Sequence, residues 1–503
     1  MREIPKDQVV RRIQAENPWW RAPHTINPAW DEMRRRDYLE LLFPLITNLS
    51  VRRAVLLMGP RRVGKTVLLH HTVQELIRDG VEPNRICYVS VDHPLYNGCG
   101  LGDLLALCRE AAAISSGGSP AYVFFDEVQY LRDWEVHLKT LVDTEPHIRF
   151  VASGSAAAAL KLKSNESGAG RFTDFLLPPL TFCEYIGLLD KTNLLTAPDK
   201  SGPQGSAFFG TDDIEALNTE FVKYLNFGGY PEVIFSPDIQ DDLARFIKSD
   251  IIDKVLLRDL PSLYGIQDIQ ELNSLFTTLA FNTANEVSLE GLSRNSGVAK
   301  NTLKRYIEYL EAAFLIRTVH RIDRRGRRFQ RANFFKVYLT NPSIRSALFS
   351  PLNDTDDAFG DLAETGAFSQ WFHADVRTTL RYARWPKGEV DIVCLNDEQR
   401  PAWAVEVKWT DRFVDKPHEL NNLFEFSAAN GQSKVLVTSK SRSRVVVSNG
   451  IEVKFIPVSL YCYTVGYNII RGRQSRNLAT IGSDLEKLHS PTVLPPEPAT
   501  GMS

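Results

Sequence analysis

The feature that most constrains this chain is Gly59-Pro60-Arg61-Arg62-Val63-Gly64-Lys65-Thr66. It fits G-x-x-x-x-G-K-[ST] at every fixed position. The apolar run Ala54 to Met58 before it predicts a buried strand, and Val67 to Ile77 after it predicts an amphipathic helix. Strand, glycine loop and helix form the context in which backbone N–H groups turn inward around phosphate oxygens. The helix N-terminus adds partial positive charge. Lys65 is placed to reach β- and γ-phosphates, and the Thr66 hydroxyl to ligate Mg²⁺.

Holding a nucleotide is not hydrolysing it. A second signal, Tyr122-Val123-Phe124-Phe125-Asp126-Glu127, is an apolar strand that ends in two carboxylates. Asp126 is read as the Mg²⁺ ligand and Glu127 as the group that orients and activates water. Strands and helices alternate from Leu41 to Leu188, with strands at Ile86 to Asp92 and Ile148 to Ala152. That order predicts a parallel sheet with helices on both faces. Ser153, after the last of these strands, sits where a polar group senses the γ-phosphate. Arg171 is a candidate finger toward a nucleotide in cis or in a neighbouring subunit, and an ordinary surface arginine accounts for it equally.

A chain of 503 residues is too long for one core, so about three domains are expected. The net charge of −2 means that a nucleic-acid partner must be met by a local patch. The six cysteines show no CxxC pair and no spacing suggestive of a disulfide, which suits a reducing, cytoplasmic setting. No apolar run is long enough to span a bilayer. Arg34-Arg35-Arg36, in a polar N-terminal arm with Trp19, Trp20 and Trp30, reads as a solvated face.

Two further constellations lie C-terminal. Between 285 and 331, a helix from Leu289, a turn at Asn295-Ser296-Gly297 and a helix opening at Lys300 follow helix-turn-helix logic. Leu303, Ile307 and Leu310 share its inner face, Lys300 and Lys304 flank that face, and Arg305 points away. The following stretch, His320 to Arg331, carries Arg324, Arg325, Arg327 and Arg328 around Gly326, as a basic wing that meets phosphates does. Farther on, a strand bearing Asp391 and a strand Trp403 to Lys408 form a hairpin. Alternation puts Glu406 and Lys408 on one side, beside Asp391. Two carboxylates and a lysine at a strand edge are suited to hold Mg²⁺ and activate water for phosphodiester cleavage, with Glu364 on a preceding helix completing the shell. A degenerate, non-cleaving version of that site, or a plain charged hairpin, fits the same residues.

These residues resemble a family of bacterial and archaeal AAA-type ATPases. Its members join an ATPase to a C-terminal domain of unknown function with a fold like PD-(D/E)xK nucleases. The likeness runs from Asn17 to Tyr467. It is carried by Arg62 to Thr66, Asp126-Glu127, Gly228-Gly229-Tyr230-Pro231-Glu232, Tyr306 to Ile316 and Glu406-Val407-Lys408, and the proline expected before Asp391 is absent. The resemblance implies an α/β multidomain chain, and with the residue reading it gives this layout: an N-terminal arm (1–39), a P-loop AAA-type core (40–190), a helical lid (191–265), a winged helix (266–331), a restriction-endonuclease-like domain (332–470) and a polar tail (471–503). It implies ATP and Mg²⁺ as cofactors. DNA, duplex or branched, is the expected partner, a homo-oligomer is compatible, and no membrane partner is expected. The reading that follows is an ATP hydrolase acting on DNA. Its rivals are a nucleotide-gated DNA-binding switch and a signalling or defence ATPase with a protein partner.

Overall fold

The computed structural model describes residues 5–22, 26–116, 121–154, 170–198, 207–327, 333–372 and 379–476. The chain divides into two compact units. The first comprises Met1–Thr192, Thr219–Val319 and Asn333–His373, and the second Asn193–Asn218, His320–Ala332 and Ala374–Ser503.

The first unit is built on β1 (Ala54–Met58), β2 (Ile86–Ser90), β3 (Tyr122–Asp126), β4 (Arg149–Gly154) and β5 (Phe172–Leu176). They lie in the order β2-β3-β4-β1-β5, every pair parallel. All residues of β1 and β3 are buried, as expected of a sheet covered on both faces. β4 separates the strand that leads into the glycine loop from the strand that ends in Asp126. The C-terminal ends of β1, β4 and β3 therefore present Gly59, Ser153 and Asp126 along one rim.

The edge strand β2 is capped by the N-terminal arm. Asn17 mimics a strand residue: its Oδ1 accepts from the Tyr88 amide at 2.7 Å and its Nδ2 donates to the Tyr88 carbonyl at 2.8 Å. The indoles of Trp19 and Trp20 both donate to the Ile86 carbonyl, at 3.0 and 2.8 Å. An exposed edge is thereby covered by side chains rather than by another strand. The cysteine spacing gave no sign of a crosslink, yet Cys87 on β2 and Cys108 on the helix Leu101–Ser116 are bonded, with Cα atoms 6.5 Å apart. Helix packing on the sheet makes that pair adjacent, which a 21-residue sequence separation does not reveal.

After Gly229 the first unit continues through short helices into a segment wound as a π-helix over Ala244–Asp253 and Val255–Asp259. Helix Ile269–Phe281, β6 (Glu286–Ser288), helix Leu289–Ser296, helix Lys300–Ala312, β7 (Ile316–Ile322) and β8 (Phe334–Leu339) follow, β6 pairing antiparallel with β8. Leu303, Tyr306, Ile307 and Leu310 are buried on one side of the helix Lys300–Ala312. β8 and helix Phe359–Trp371, expected in the nuclease-like domain, belong to this unit, and 193–218, expected in the lid, belong to the other.

The second unit contains β9 (Thr379–Trp385), β10 (Gly388–Leu395), β11 (Pro401–Glu406), β12 (Lys434–Ser439), β13 (Arg444–Ser448) and β14 (Ile451–Pro457). Their order is β13-β14-β12-β11-β10-β9, and the end of β7, Arg321 and Ile322, runs parallel to β9. β9 to β11 are antiparallel, whereas β12 pairs in parallel with β11 and β14. Val390, Val393, Ala404, Phe426 and Val437 are part of its core.

Candidate functional site

The glycine loop needs glycine at two positions. A Cβ at Gly59 would collide with the Leu177 carbonyl oxygen, and Gly64 has φ +92°, a left-handed conformation that an L side chain strains to adopt. Helix Lys65–Arg78 starts directly after it. Lys65 is buried, and its Nζ donates to the carbonyls of Gly59 at 3.0 Å and Pro60 at 2.8 Å. Burial pushes its pKa down, and the charges of Glu127 and Asp126 counter that.

Asp126 is the centre of a hydroxyl cage. Its Oδ2 accepts from Thr66 Oγ1 and from Tyr88 OH, both at 2.7 Å, and its Oδ1 accepts from Ser153 Oγ. Tyr88 packs against the ring of His70 at 4.5 Å, and burial keeps His70 neutral, its pKa pushed down to about 4. Glu127 takes a left-handed backbone conformation, φ +57°, and accepts from Gln129 Nε2. Burial raises its pKa, and Lys65 is the main opposing charge. Its carboxylate borders two cavities. One, of about 760 Å³, is lined by Lys65, Arg62, Met33, Pro231 and Phe235; the other, of about 700 Å³, by Thr66, Asp126, Tyr88 and Glu16.

The hard oxygen atoms of Thr66 and Asp126 suit Mg²⁺. Among the described residues no three His, Cys, Asp or Glu side chains converge on one point. A metal here would complete its shell with water and phosphate, which is how Mg²⁺ is usually held at nucleotides. Bound there, the metal would neutralise charge on the phosphates.

Arg36 positions the glycine loop, a role that sequence reasoning missed. The Arg34-Arg35-Arg36 run is not a solvated face. Arg36 is buried, pairs with Glu184 through Nε at 2.9 Å and Nη2 at 2.8 Å, and donates from Nη1 to the carbonyls of Val63 and Pro178, each at 2.9 Å. It ties the glycine loop to the capped start of helix Phe182–Leu188, where Thr181 and Glu184 form a capping box. Arg35 engages Glu75 and Gln74, and Arg34 engages Asp190. Nothing in the run itself separates these roles; Tyr88 likewise gives no sequence signal beyond its place on a strand.

Arg171 falls outside the loop's reach. It precedes β5, its carbonyl accepts from the Ala54 amide at 2.9 Å, and its Nε pairs with Asp143 at 2.6 Å. That is the rim where β1 begins, one five-residue strand, about 16 Å, from the rim where the loop starts. The cis reading of Arg171 is corrected on that geometry. Arg61 and Arg62, expected to line the phosphates, are ion-paired with Asp259, Asp250 and Glu232.

In the second unit the hairpin brings Asp391, Glu406 and Lys408 together. Ile392 pairs with Val405, so Asp391 and Glu406 face across neighbouring strands. Lys408 Nζ lies 2.8 Å from Glu406 Oε1 and 3.4 Å from Asp391 Oδ2, and Asp391 Oδ2 also accepts from the Val407 amide at 2.9 Å. β11 ends at Glu406, so Lys408 lies past the strand and is placed by the hydrogen bond that its backbone N–H donates to Thr438 Oγ1 at 2.7 Å. Glu364, expected to complete this shell, is engaged elsewhere. It lies in the first unit, where its Oε1 accepts from Lys336 Nζ at 2.9 Å and Tyr338 OH at 2.6 Å in a buried triad.

Of the basic residues, Lys300, Lys304 and Arg305 are exposed on helix Lys300–Ala312, with Lys300 3.7 Å from Glu290 and Lys304 3.9 Å from Glu308. Arg325 and Arg327 are exposed, whereas Arg324 is paired with Glu425. Arg328 lies outside the described residues.

Residues 51–186 match the family described as "AAA domain", and residues 218–356 match "Domain of unknown function (DUF8612)". An uncharacterized protein of Methanocaldococcus jannaschii, MJ1637, is 26% identical over 349 residues, 66% of this chain and 71% of its own. An uncharacterized protein of Haemophilus influenzae is 22% identical over 428 residues, 84% of this chain and 97% of its own. The AMPPCP-bound DnaA of Aquifex aeolicus aligns at 13% identity over 59% of this chain and 92% of that one, with a TM-score of 0.27, too low to carry any inference. The family match and the parallel five-stranded sheet agree on an AAA-type P-loop fold for the segment 51–186. No helix among the described residues is long and apolar enough to cross a membrane.

Proposed function

We propose that this protein is an ATP hydrolase that couples nucleotide turnover to DNA. The observation that carries the hydrolase half is the Thr66–Asp126 contact at 2.7 Å with Lys65 and Glu127 beside it. In this reading Lys65 leaves the Gly59 and Pro60 carbonyls for the β- and γ-phosphates of ATP. Thr66 and Asp126 hold Mg²⁺. Glu127, its proton affinity raised by burial, orients the attacking water and takes its proton. Ser153, bonded to Asp126, reports the γ-phosphate to the metal ligand.

The DNA half is supported by the order of elements from Ile269 to Leu339, which is that of a winged helix. The exposed Lys300, Lys304 and Arg305 on its second helix would meet a groove, and Arg325 and Arg327 the backbone phosphates. The β9–β11 hairpin, with Asp391, Glu406 and Lys408, is a candidate PD-(D/E)xK-like centre for Mg²⁺-dependent cleavage. Lys408 already pairs with both carboxylates and offsets one of their two charges, which favours a second reading in which this module grips DNA without cutting it. Assembly into a homo-oligomer, with Arg171 serving a neighbour, belongs to the same proposal. A cytoplasmic setting does too, although the bonded Cys87 and Cys108 remove the cysteine spacing as support for it.

ATPase and cleavage assays run together on duplex, forked and single-stranded DNA test this. Turnover should be stimulated by DNA. The salt dependence of DNA affinity should flatten in Arg325→Ala/Arg327→Ala, by about one unit for each phosphate that no longer meets an arginine. Turnover indifferent to every DNA, with an unchanged salt slope, would move the partner to a protein.

A further inference from the structure

Two adjacent arginines of the glycine loop are held away from any ligand by acids 170 to 198 residues downstream. Arg61 grips Asp259 through Nε at 2.8 Å and Nη2 at 3.1 Å, in a setting where the two side chains are 19% and 14% exposed. Arg62 pairs with Asp250 at 2.7 Å and with Glu232. Asp250 and Asp259 are nine residues apart on one helical segment. In an α-helix that spacing is about 2.5 turns, which puts the two side chains on opposite sides. Here the backbone is wound as a π-helix over Ala244–Asp253 and Val255–Asp259. The wider i→i+5 turn brings nine residues close to whole turns, so both carboxylates face the loop. Such winding is uncommon beyond a single turn and is found chiefly at functional sites.

We infer that Arg61 and Arg62 are the triphosphate-reading residues of this site, and that Asp259, Asp250 and Glu232 occupy them until a γ-phosphate arrives. The inference rests on the glycine loop binding ATP. Arginine's planar fork accepts carboxylate and phosphate alike, so a terminal phosphate competes directly with Asp259 for Arg61. A diphosphate, which ends short of these side chains, leaves the pairs closed. The exchange frees the segment 244–259, which then reports the third phosphate to the rest of the first unit.

The test is equilibrium binding of Mg²⁺-ADP and of an ATP analogue with a non-cleavable β,γ bridge to the full chain. Asp259→Asn removes the competitor at nearly constant shape. It should tighten the triphosphate about tenfold, within the usual range of a coupling free energy, and leave ADP unchanged. Arg61→Gln should weaken the triphosphate alone. Hydrogen exchange on the wild type gives a reading independent of any variant: amides of 244–259 should exchange faster with the triphosphate than with ADP. If both nucleotides bind the wild type but Asp259→Asn shifts them equally or not at all, and exchange is the same with each, the carboxylate–phosphate exchange is wrong while the nucleotide site stands. If the wild type binds neither nucleotide, the nucleotide reading fails and takes this inference with it.

Discussion

The nucleotide site and the hairpin site each set two carboxylates beside a lysine, but they dispose of the lysine differently. In the first unit Lys65 is parked on the Gly59 and Pro60 carbonyls, and Asp126 is held by the hydroxyls of Thr66, Tyr88 and Ser153. In the second unit Lys408 bonds Glu406 and Asp391 directly. Hydroxyl donors are neutral and can turn a lone pair toward a cation, so none of these three contacts sets an ammonium on Asp126. An ammonium must be displaced or shared before a metal can use Asp391 and Glu406. Identical residue types thus leave the carboxylate to neutral hydroxyls in one case and pair both carboxylates with an ammonium in the other.

The largest effect should come from the first site. Glu127→Gln should lower ATP turnover by about 10²- to 10⁴-fold while nucleotide stays bound, since only the base is lost. Lys65→Ala should remove binding itself. Normal turnover in Glu127→Gln, measured by phosphate release, would erase the distinction drawn between the two sites. Next in size is the hairpin. Lys408→Ala leaves Asp391 and Glu406 buried without their counter-charge, at a cost of about 3–5 kcal/mol. Thermal unfolding should show that loss, and Mn²⁺ should restore it. A variant as stable as wild type, or one that Mn²⁺ does not rescue, would show that the lysine was not standing in for a metal. Asp391→Ala separates cleavage from binding in the same series: metal-dependent cutting that persists in it ends the catalytic assignment.

The pH profile is a finer probe. Burial raises the Glu127 pKa, so the carboxyl keeps its proton to a higher pH than an ordinary glutamate. The base must be ionised to work. Turnover should therefore fall by about tenfold per unit as pH drops through a value above 4.5, and the residual rate of Glu127→Gln should lack that limb. The smallest effect is expected from Tyr88→Phe, which removes one of three hydroxyls from Asp126. A loss of about 1 kcal/mol in Mg²⁺-dependent nucleotide affinity is expected, with Mg²⁺-free binding unchanged.

The chemistry that depends on local spacing was legible in the sequence, and the chemistry that depends on distant packing was not. The glycine loop and Asp126-Glu127 are contiguous strings attached to strands, and reading a hairpin was enough to place Asp391 beside Glu406, whereas Lys408, expected on the strand, lies past its end. Arg36 sits among two other arginines, and only the approach of Val63, Pro178 and Glu184 makes it an interior residue. Glu364 had the right type and helix for a metal shell, but Lys336 and Tyr338 claim it within the other unit. Arg171 follows a glycine, as a finger would, yet strand register fixes it on the wrong rim for its own loop. Parallel pairing and helix packing bring residues separated by 21 to nearly 200 positions into contact, and no window on the sequence spans them.

The bonds from Asn17, Trp19 and Trp20 to β2 also bear on how the chain reaches this state. They close contacts 66 to 71 residues apart. On a ribosome the arm emerges before its partners at Ile86 and Tyr88, which are made only later. Until then Trp19 and Trp20 have only water to donate to, and the helix Lys6–Glu16 is too short to persist unaided. Such long loops are closed late, after local elements have formed. The arm is thus fixed only after β2 exists, and a chain lacking Asn17 to Trp20 would carry an open edge at β2 on which other chains can pair.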